Sequence, residues 1–99
     1  MDRDQVVATL RAHESELKAA GIARLRVFGS VARGEQGTES DVDILVDFEE
    51  TNGGVSLLDL VRLENRLSDL LGVHVDLVQE KSLKSRVRRN VNREAVLAF

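Results

Sequence analysis

The sequence contains no cysteine, proline, tryptophan or tyrosine, and only three phenylalanines. Without cysteine, neither a disulfide framework nor a cysteine-ligated zinc site can form. No stretch approaches the roughly 20 apolar residues that span a bilayer. With so few aromatic side chains, there is no stacking platform for nucleic-acid bases. These absences predict a cytoplasmic protein with no membrane partner and no stable nucleic-acid complex.

The 99 residues carry a formal net charge of −3, but the two signs are separated along the chain. Residues 1–80 contain eight Lys or Arg against sixteen Asp or Glu, whereas residues 81–99 contain six against one. The length suits one modest core, so residues 1–99 are expected to form a single domain. The basic segment is expected either to remain solvated or to contact a partner, a nucleotide or RNA.

Three amphipathic helices are indicated by apolar residues at helical spacing. The first covers residues 2–19, with His13 at the half-buried edge of its apolar stripe. Ser56 and Gly72 are placed to begin and end a leucine-rich helix, whose stripe is expected to be core and whose edge is wide enough to meet a partner. Ser82 is expected to cap the last helix. In that helix we expect inward-facing apolar residues and a separate arginine stripe, formed respectively by Leu83, Val87 and Val91 and by Arg86, Arg89 and Arg93.

Strands are predicted by alternating apolar residues over 25–28, 41–48 and 73–79. The apolar segment 95–99 is expected to pack back onto the body. Because helices alternate with strands, we expect an α/β or α+β domain. Its small mixed sheet has three or more strands, with helices on one face and the other face open for function.

Two carboxylates open the second predicted strand. Asp41 and Asp43 are two residues apart, so their Cα atoms lie about 6.6 Å apart and their side chains share a face. If the third strand is adjacent, Asp76 arrives on that face about 4.8 Å away. Oxygen ligands of this kind suit Mg²⁺, and phosphoryl-transfer sites hold two such ions about 3.5–4 Å apart. The acids therefore predict a magnesium site, beside which His74 is expected to be a bystander.

A small-residue turn follows the first predicted strand. Gly29 permits close backbone approach, and exposed N–H groups here would attract phosphate oxygens. The Ser30 hydroxyl adds a donor, and Arg33 is placed to offer its guanidinium to a phosphate or to a partner. Combined with the acids at this spacing, the turn indicates nucleotide chemistry rather than an ordinary loop.

These residues resemble the nucleotidyltransferase superfamily typified by DNA polymerase beta, in its minimal single-domain branch. The run Gly-Ser-Val-Ala-Arg-Gly-Glu, the later Ser-Asp-Val-Asp and the third acid on a following strand match the family signature between Gly29 and Asp76. The resemblance implies a polymerase-beta-like core. It implies that Asp41, Asp43 and Asp76 are the catalytic acids and bind the metal ions. It implies nucleotide binding by Gly29 and Ser30, with Arg33 and Ser40 assigned to the same group.

The resemblance also implies a function. Members of the minimal branch pair with small helical HEPN proteins as toxin and antitoxin, so we expect a hetero-oligomer in which AMP is transferred from ATP to a hydroxyl of the HEPN toxin, its tyrosine in particular. One alternative is an antitoxin that neutralises its partner by binding alone. Another is a transferase for a small hydroxylated compound, which the absence of an acceptor domain disfavours. A nucleic-acid polymerase is less compatible still, since nothing here would grip a duplex.

Overall fold

The structure is a computed structural model that describes residues 2–32, 41–49 and 54–99, with only the backbone of Ser30 and Val31. Five helices and four strands are described, together with one 3₁₀ turn. In chain order the elements are α1 (Arg3–Ala12), α2 (Glu14–Ala19), β1 (Ile22–Phe28), α3 (Gly29–Ala32), β2 (Val42–Phe48), α4 (Leu57–Leu71), β3 (Val75–Gln79), the 3₁₀ turn (Glu80–Ser82), α5 (Ser85–Glu94) and β4 (Val96–Leu97). None of the helices within these ranges is long and apolar enough to cross a membrane.

The four strands form one mixed sheet in the order β3-β2-β1-β4. The β2 and β3 strands are parallel, while β1 is antiparallel to both β2 and β4. The predicted mixed sheet is therefore confirmed. The fourth strand comes from the C-terminal segment, which packs back onto the body as expected and leaves Ala98 fully buried.

The main core lies between one face of the sheet and helices α1, α2 and α4. Alternation places one set of β2 side chains on this face, and Ile44 is fully buried there. A bulge between Ile22 and Arg24 lets β1 keep both Ile22 and Leu25 on the core side. The buried positions match the predicted apolar pattern and include Val6, Leu10, Leu17, Val27, Val42, Val46, Leu63, Leu67, Leu71 and Val75.

The leucine-rich helix begins and ends as predicted. Ser56 caps α4 through a reciprocal capping box with Asp59, and Gly72 ends it in the left-handed conformation at φ 70°. The expectation that the whole apolar stripe is core is wrong at its N-terminal end. There Leu57 is 77% and Val61 42% exposed, whereas Leu63, Leu67 and Leu71 are buried.

The predicted first helix is interrupted. Residues 2–19 form two helices, because α1 ends at Ala12 and α2 begins at Glu14. The His13 amide bonds to the Leu10 carbonyl three residues back, at 3.1 Å, and its Nδ1 lies 2.9 Å from the Thr9 carbonyl oxygen. A side chain that bonds to the preceding turn competes with regular helix, which explains the break. His13 is half-buried, as predicted.

Helix α5 differs most from expectation. Ser82 does not cap it: the Ser82 hydroxyl donates to the Gln79 carbonyl within the 3₁₀ turn, and α5 begins three residues later. No residue of α5 is buried, and Val87, expected to face inward, is 46% exposed. Val91 is half-buried, in line with its expected inward direction. The other half-buried position is Arg88, because the helix meets polar groups of the sheet rather than the apolar core.

Part of the second sheet face is covered by this helix. Leu45 points away from the main core yet is 1% exposed, and its cross-strand neighbour is Arg26. The Arg26 guanidinium donates to Asn92 of α5 at 2.6 Å. The face expected to be open is therefore divided into a region under α5 and an end that carries the acids.

The outer edge of β3 is closed by side chains of α4. The Val75 amide donates to Ser68 Oγ at 3.1 Å, and the Leu77 amide donates to Glu64 Oε1 at 3.4 Å. Backbone donors on an edge strand would otherwise face water or another strand. Here they are satisfied within the domain.

Candidate active site

Gly29 joins strand β1 to helix α3 and lies against Asp43. Its φ of +77° is in the left-handed region, which favours glycine. A Cβ atom placed on Gly29 would overlap Oδ2 of Asp43. The contact follows from register, since the preceding residue, Phe28, is paired with Asp43 across the sheet. The turn and the acid predicted separately from the sequence thus form one site.

Two of the three predicted acids are direct neighbours. Asp43 and Asp76 are paired across the parallel β2 and β3 strands, which confirms the predicted adjacency. Paired residues on adjacent strands lie about 4.8 Å apart. Asp43 is half-buried, whereas Asp76 is exposed. Asp41 immediately precedes β2 and is also exposed, so all three acids lie at the same end of the β2–β3 pair.

His74 contacts one of these acids. Its Nδ1 lies 3.3 Å from Oδ2 of Asp41, and both side chains are more than half exposed. His74 is the residue before β3, and its carbonyl accepts a bond from the Val42 amide at 3.0 Å. This backbone bond fixes the two strand starts side by side. The sequence placed His74 beside Asp76 and missed the contact with Asp41.

The donor set is suited to a hard divalent cation. All three acids offer carboxylate oxygens, which Mg²⁺ prefers, and carboxylates commonly hold it together with phosphates and water. Among the residues that the structure describes, no three acidic, histidine or cysteine side chains are gathered as a ready-made metal cluster. The strand register brings the acids together, while their side chains are not drawn around one point.

Three of the predicted nucleotide-binding groups fall outside what the structure describes. Arg33 and Ser40 lie in the segment 33–40, and the side chain of Ser30 is likewise not described. The backbone of Ser30 is placed, and it belongs to α3 directly after Gly29. Of the predicted turn, the structure therefore describes Gly29 fully.

A second carboxylate pair lies further along the same sheet face. The Arg26 guanidinium contacts Glu80 at 2.7 Å and Asp47 at 3.5 Å, and Arg24 contacts Asp47 at 3.1 Å. Burial, followed by the hydrogen bond to Glu80, raises the pKa of Asp47. The same hydrogen bond, assisted by Arg26, lowers the pKa of Glu80. The pKa values of the two carboxyl groups are thus shifted in opposite directions by one contact next to arginine.

This network was missed from the sequence, although it has a sequence signal. Arg24 and Arg26 alternate with buried residues of β1, so they must share a face with the acids of β2. Two cavities of about 370 and 420 Å³ lie around Phe48 and Val55, and neither is lined by the three predicted acids.

Comparison with known proteins agrees with this geometry. The nucleotidyltransferase domain family matches residues 10–98. Protein adenylyltransferase MntA of Thermococcus cleftensis is 48% identical over 94 residues, which cover 94% of this chain and 92% of that protein. A solved structure of a candidate minimal nucleotidyltransferase is similar with a TM-score of 0.80 and 49% identity, covering 97% of this chain and 95% of the other.

A more distant structure shares the fold. It belongs to the Shewanella oneidensis complex of a tri-AMPylated HEPN toxin with an MNT antitoxin. The TM-score is 0.60 at 19% identity, with 90% of this chain and 71% of the other covered. The sheet, the glycine turn and the paired acids are thus found in a chain with close nucleotidyltransferase relatives. The chain belongs to the nucleotidyltransferase family and has the fold of its minimal, polymerase-beta-like members.

Proposed function

We propose that this enzyme transfers AMP from ATP to a tyrosine hydroxyl of a HEPN-family toxin and so acts as an antitoxin in the cytoplasm. The observation that carries the proposal is the Asp43–Asp76 pair, which sits on adjacent parallel strands with Gly29 against Asp43. The relative from Thermococcus cleftensis supports protein adenylylation as the reaction class. The Shewanella oneidensis complex supports a HEPN protein as the acceptor.

The site residues divide the work between triphosphate and metal. Gly29, Ser30, Arg33 and Ser40 would bind the triphosphate, because a glycine turn permits close approach of phosphate oxygens to the backbone. Asp41, Asp43 and Asp76 would hold two Mg²⁺ ions, which would neutralise phosphate charge and favour ionisation of the attacking hydroxyl. Carboxylate oxygens alone form this donor set, and the set fits that ion.

Attack of the tyrosine oxygen on the α-phosphorus forms the new O–P bond and breaks the bond to the β-phosphate oxygen, releasing pyrophosphate. The hydroxyl proton must leave during this step, and Asp76 is proposed as the group that helps to accept it. Asp76 suits that role because it is exposed at the strand end and is paired with Asp43. The protein otherwise contributes positioning and charge stabilisation.

The test uses the purified chain, Mg²⁺, α-labelled ATP and a HEPN-family protein, with the product of any adjacent reading frame as the first choice. We expect label on the HEPN protein and none on a variant of that protein whose acceptor tyrosine is phenylalanine. Asp41→Asn should remove both label transfer and neutralisation of the toxin. Full neutralisation by Asp41→Asn without label transfer would instead establish the binding-only antitoxin.

A second measurement is independent of transfer. Mg²⁺ with ATP at about 100 times its Kd should stabilise the fold by about 2.7 kcal/mol, which is roughly 10–20 °C in Tm for a domain of this size. Asp43→Asn should lose most of the magnesium-dependent part of that shift. A wild-type Tm that does not respond to saturating Mg²⁺ and ATP would contradict the proposed site.

A further inference from the structure

We infer that the solvent-facing arginines of α5 form the docking surface for an acidic patch on the acceptor protein. This inference rests on the proposed function and adds to it the face by which the acceptor is held. The surface is here called the arginine stripe and consists of Arg86, Arg89 and Arg93. All three are exposed.

The inward face of α5 fixes the direction of the stripe. Asn92 accepts a bond from Arg26 of the sheet at 2.6 Å. Arg88 donates to the carbonyls of Glu80 at 3.3 Å and Leu83 at 3.4 Å. At 100° per residue, the stripe falls within about 60° of arc, and its centre lies about 110° around the helix from the midpoint between Arg88 and Asn92. Arg88 and Asn92 thus anchor the helix to the rest of the domain, while the arginine stripe is exposed to solvent.

The local charge is opposite to that of the body. Residues 81–93 contain six Lys or Arg and no Asp or Glu, whereas residues 1–80 have twice as many acids as basic residues. An acidic protein would be repelled by most of the domain surface and attracted to α5. This difference would orient the acidic protein as it approaches. Arg62 and Arg66 of α4 differ in having acids at hand, since Asp59 lies near the first and Glu16 is paired with the second at 2.8 Å.

The position of α5 relates the stripe to the reaction. Helix α5 contacts α3, the short helix that begins at Gly29. A protein seated on α5 would therefore lie beside the turn that we propose binds ATP. The stripe spans eight residues, about 10 Å of helix, which suits a patch on a folded protein. A longer polyanion such as RNA would extend over the acidic body, and no aromatic residue of α5 is present to stack on its bases.

The test compares charge variants at matched sites. The triple variant Arg86→Glu/Arg89→Glu/Arg93→Glu should weaken binding to the HEPN protein that accepts AMP by about a hundredfold in 50 mM NaCl, since reversed charges repel the acidic patch. Replacement of the same three residues by Lys should retain most of the affinity because the charge is kept. The single change Arg89→Glu should weaken binding several-fold more than Arg62→Glu, an equal charge change at an exposed site on α4.

The Kd for ATP should be unchanged in every one of these variants, and the effect of the triple variant should shrink in 300 mM NaCl. Equal loss of ATP affinity would assign the stripe to the nucleotide and overturn the inference. Unchanged HEPN binding by the triple variant would also overturn the inference. So would a 20-nucleotide single-stranded RNA that binds the wild type as tightly as the HEPN protein does and does not bind the triple variant.

The inference and the proposed function fail in different ways. Label transfer that proceeds equally well in the triple variant, at an unchanged Kd for the HEPN protein, would remove the docking surface and leave the enzyme. Stripe-dependent binding by a wild type that transfers no label would keep the docking surface and remove the transferase. A wild type that does not bind the HEPN protein would contradict both.

Discussion

Two pairs of carboxylates lie on one sheet face, and their members on β2 are only four positions apart in the sequence. Asp47 and Glu80 lie beneath α5, next to Arg26, whose side chain is 13% exposed. Asp43 and Asp76 lie at the end of the same two strands, next to a glycine and beside solvent. One pair is therefore neutralised by arginine within the domain. The other is at a place where phosphate and metal can approach.

The comparison shows that position along a strand decides the role of an acid. Beneath α5, a carboxylate needs an internal cation or a bound proton, because burial penalises the charged form. At the strand end, Asp76 is exposed to solvent and lies within reach of a ligand. Variants that exchange or remove these features should separate the two roles.

The largest expected effect concerns the acids themselves. Asp43→Asn should lower label transfer by a factor on the order of 10²–10³, comparable with loss of one preorganised electrostatic group from an active site. Asp47→Asn is the matched control, since it is the same substitution on the same strand and face. It should retain transfer within a few-fold, measured as initial rates at saturating ATP. Equal losses in the two variants would abolish the distinction between the pairs.

The glycine at the strand end provides the next test. Gly29→Ala should reduce transfer at least tenfold, because its Cβ would displace the Asp43 carboxylate. Gly72→Ala is the control, because Gly72 has a similar φ of 70°, compared with 77° at Gly29, but nothing lies within 4 Å of a Cβ added there. Both variants should lose about 1–2 kcal/mol of unfolding free energy through left-handed strain. Urea titration measures that loss of unfolding free energy. Label transfer at the wild-type rate in Gly29→Ala would show that the contact between Gly29 and Asp43 is unimportant for the reaction.

Removal of the internal cation should affect stability rather than catalysis. Arg26→Gln should lower the free energy of unfolding by roughly 2 kcal/mol, since it leaves Asp47 and Glu80 without their shared partner in a largely covered site. Arg24→Gln should cost well under 1 kcal/mol, because Arg24 is 53% exposed. Both are measured by urea titration at pH 7. A larger loss for Arg24→Gln than for Arg26→Gln would show that Arg24, and not Arg26, supplies the compensating charge.

The smallest effect is a pH dependence. The pKa of Asp47 is raised on folding, so its protonated form is favoured in the folded state and its contribution to stability is lost as the pH rises through that pKa. Asp47→Asn cannot ionise, so its stability relative to wild type should improve between pH 4 and pH 7. Glu80, whose pKa is lowered, contributes in the opposite sense as the pH falls. A difference between variant and wild type that is constant with pH would contradict the raised pKa of Asp47.

Local rules predicted those parts of the fold in which neighbouring residues decide the structure. The capping box at Ser56, the end of α4 at Gly72 and the pairing of Asp43 with Asp76 all follow from spacing and alternation. The break at His13 was not predicted, because helical periodicity continues through it. The break depends on a contact between its side chain and the Thr9 carbonyl.

Helix α5 shows why the remainder could not be predicted. Hydrophobicity predicts which residues of α5 face inward. The helix packs on a polar network, however, so Arg88 is half-buried and Val87 is exposed. Periodicity identifies the apolar side of a helix. It cannot show that the surface of the sheet beneath that helix consists of arginine and carboxylate groups. In the site, the strand positions of the acids were predictable. The contact of His74 with Asp41 was not, because it depends on how two strand starts align.

The closed edge of β3 has a consequence for how this domain can assemble. Ser68 and Glu64 occupy the amides of Val75 and Leu77, which an added strand would need for pairing. The sheet therefore cannot be extended from β3 without first breaking those bonds, and this edge resists β-augmentation and fibrillar stacking. Replacement of Ser68 by alanine would expose one such amide and make the domain more prone to polymerise. A folded partner must therefore recognise side chains at this edge, rather than continue the sheet.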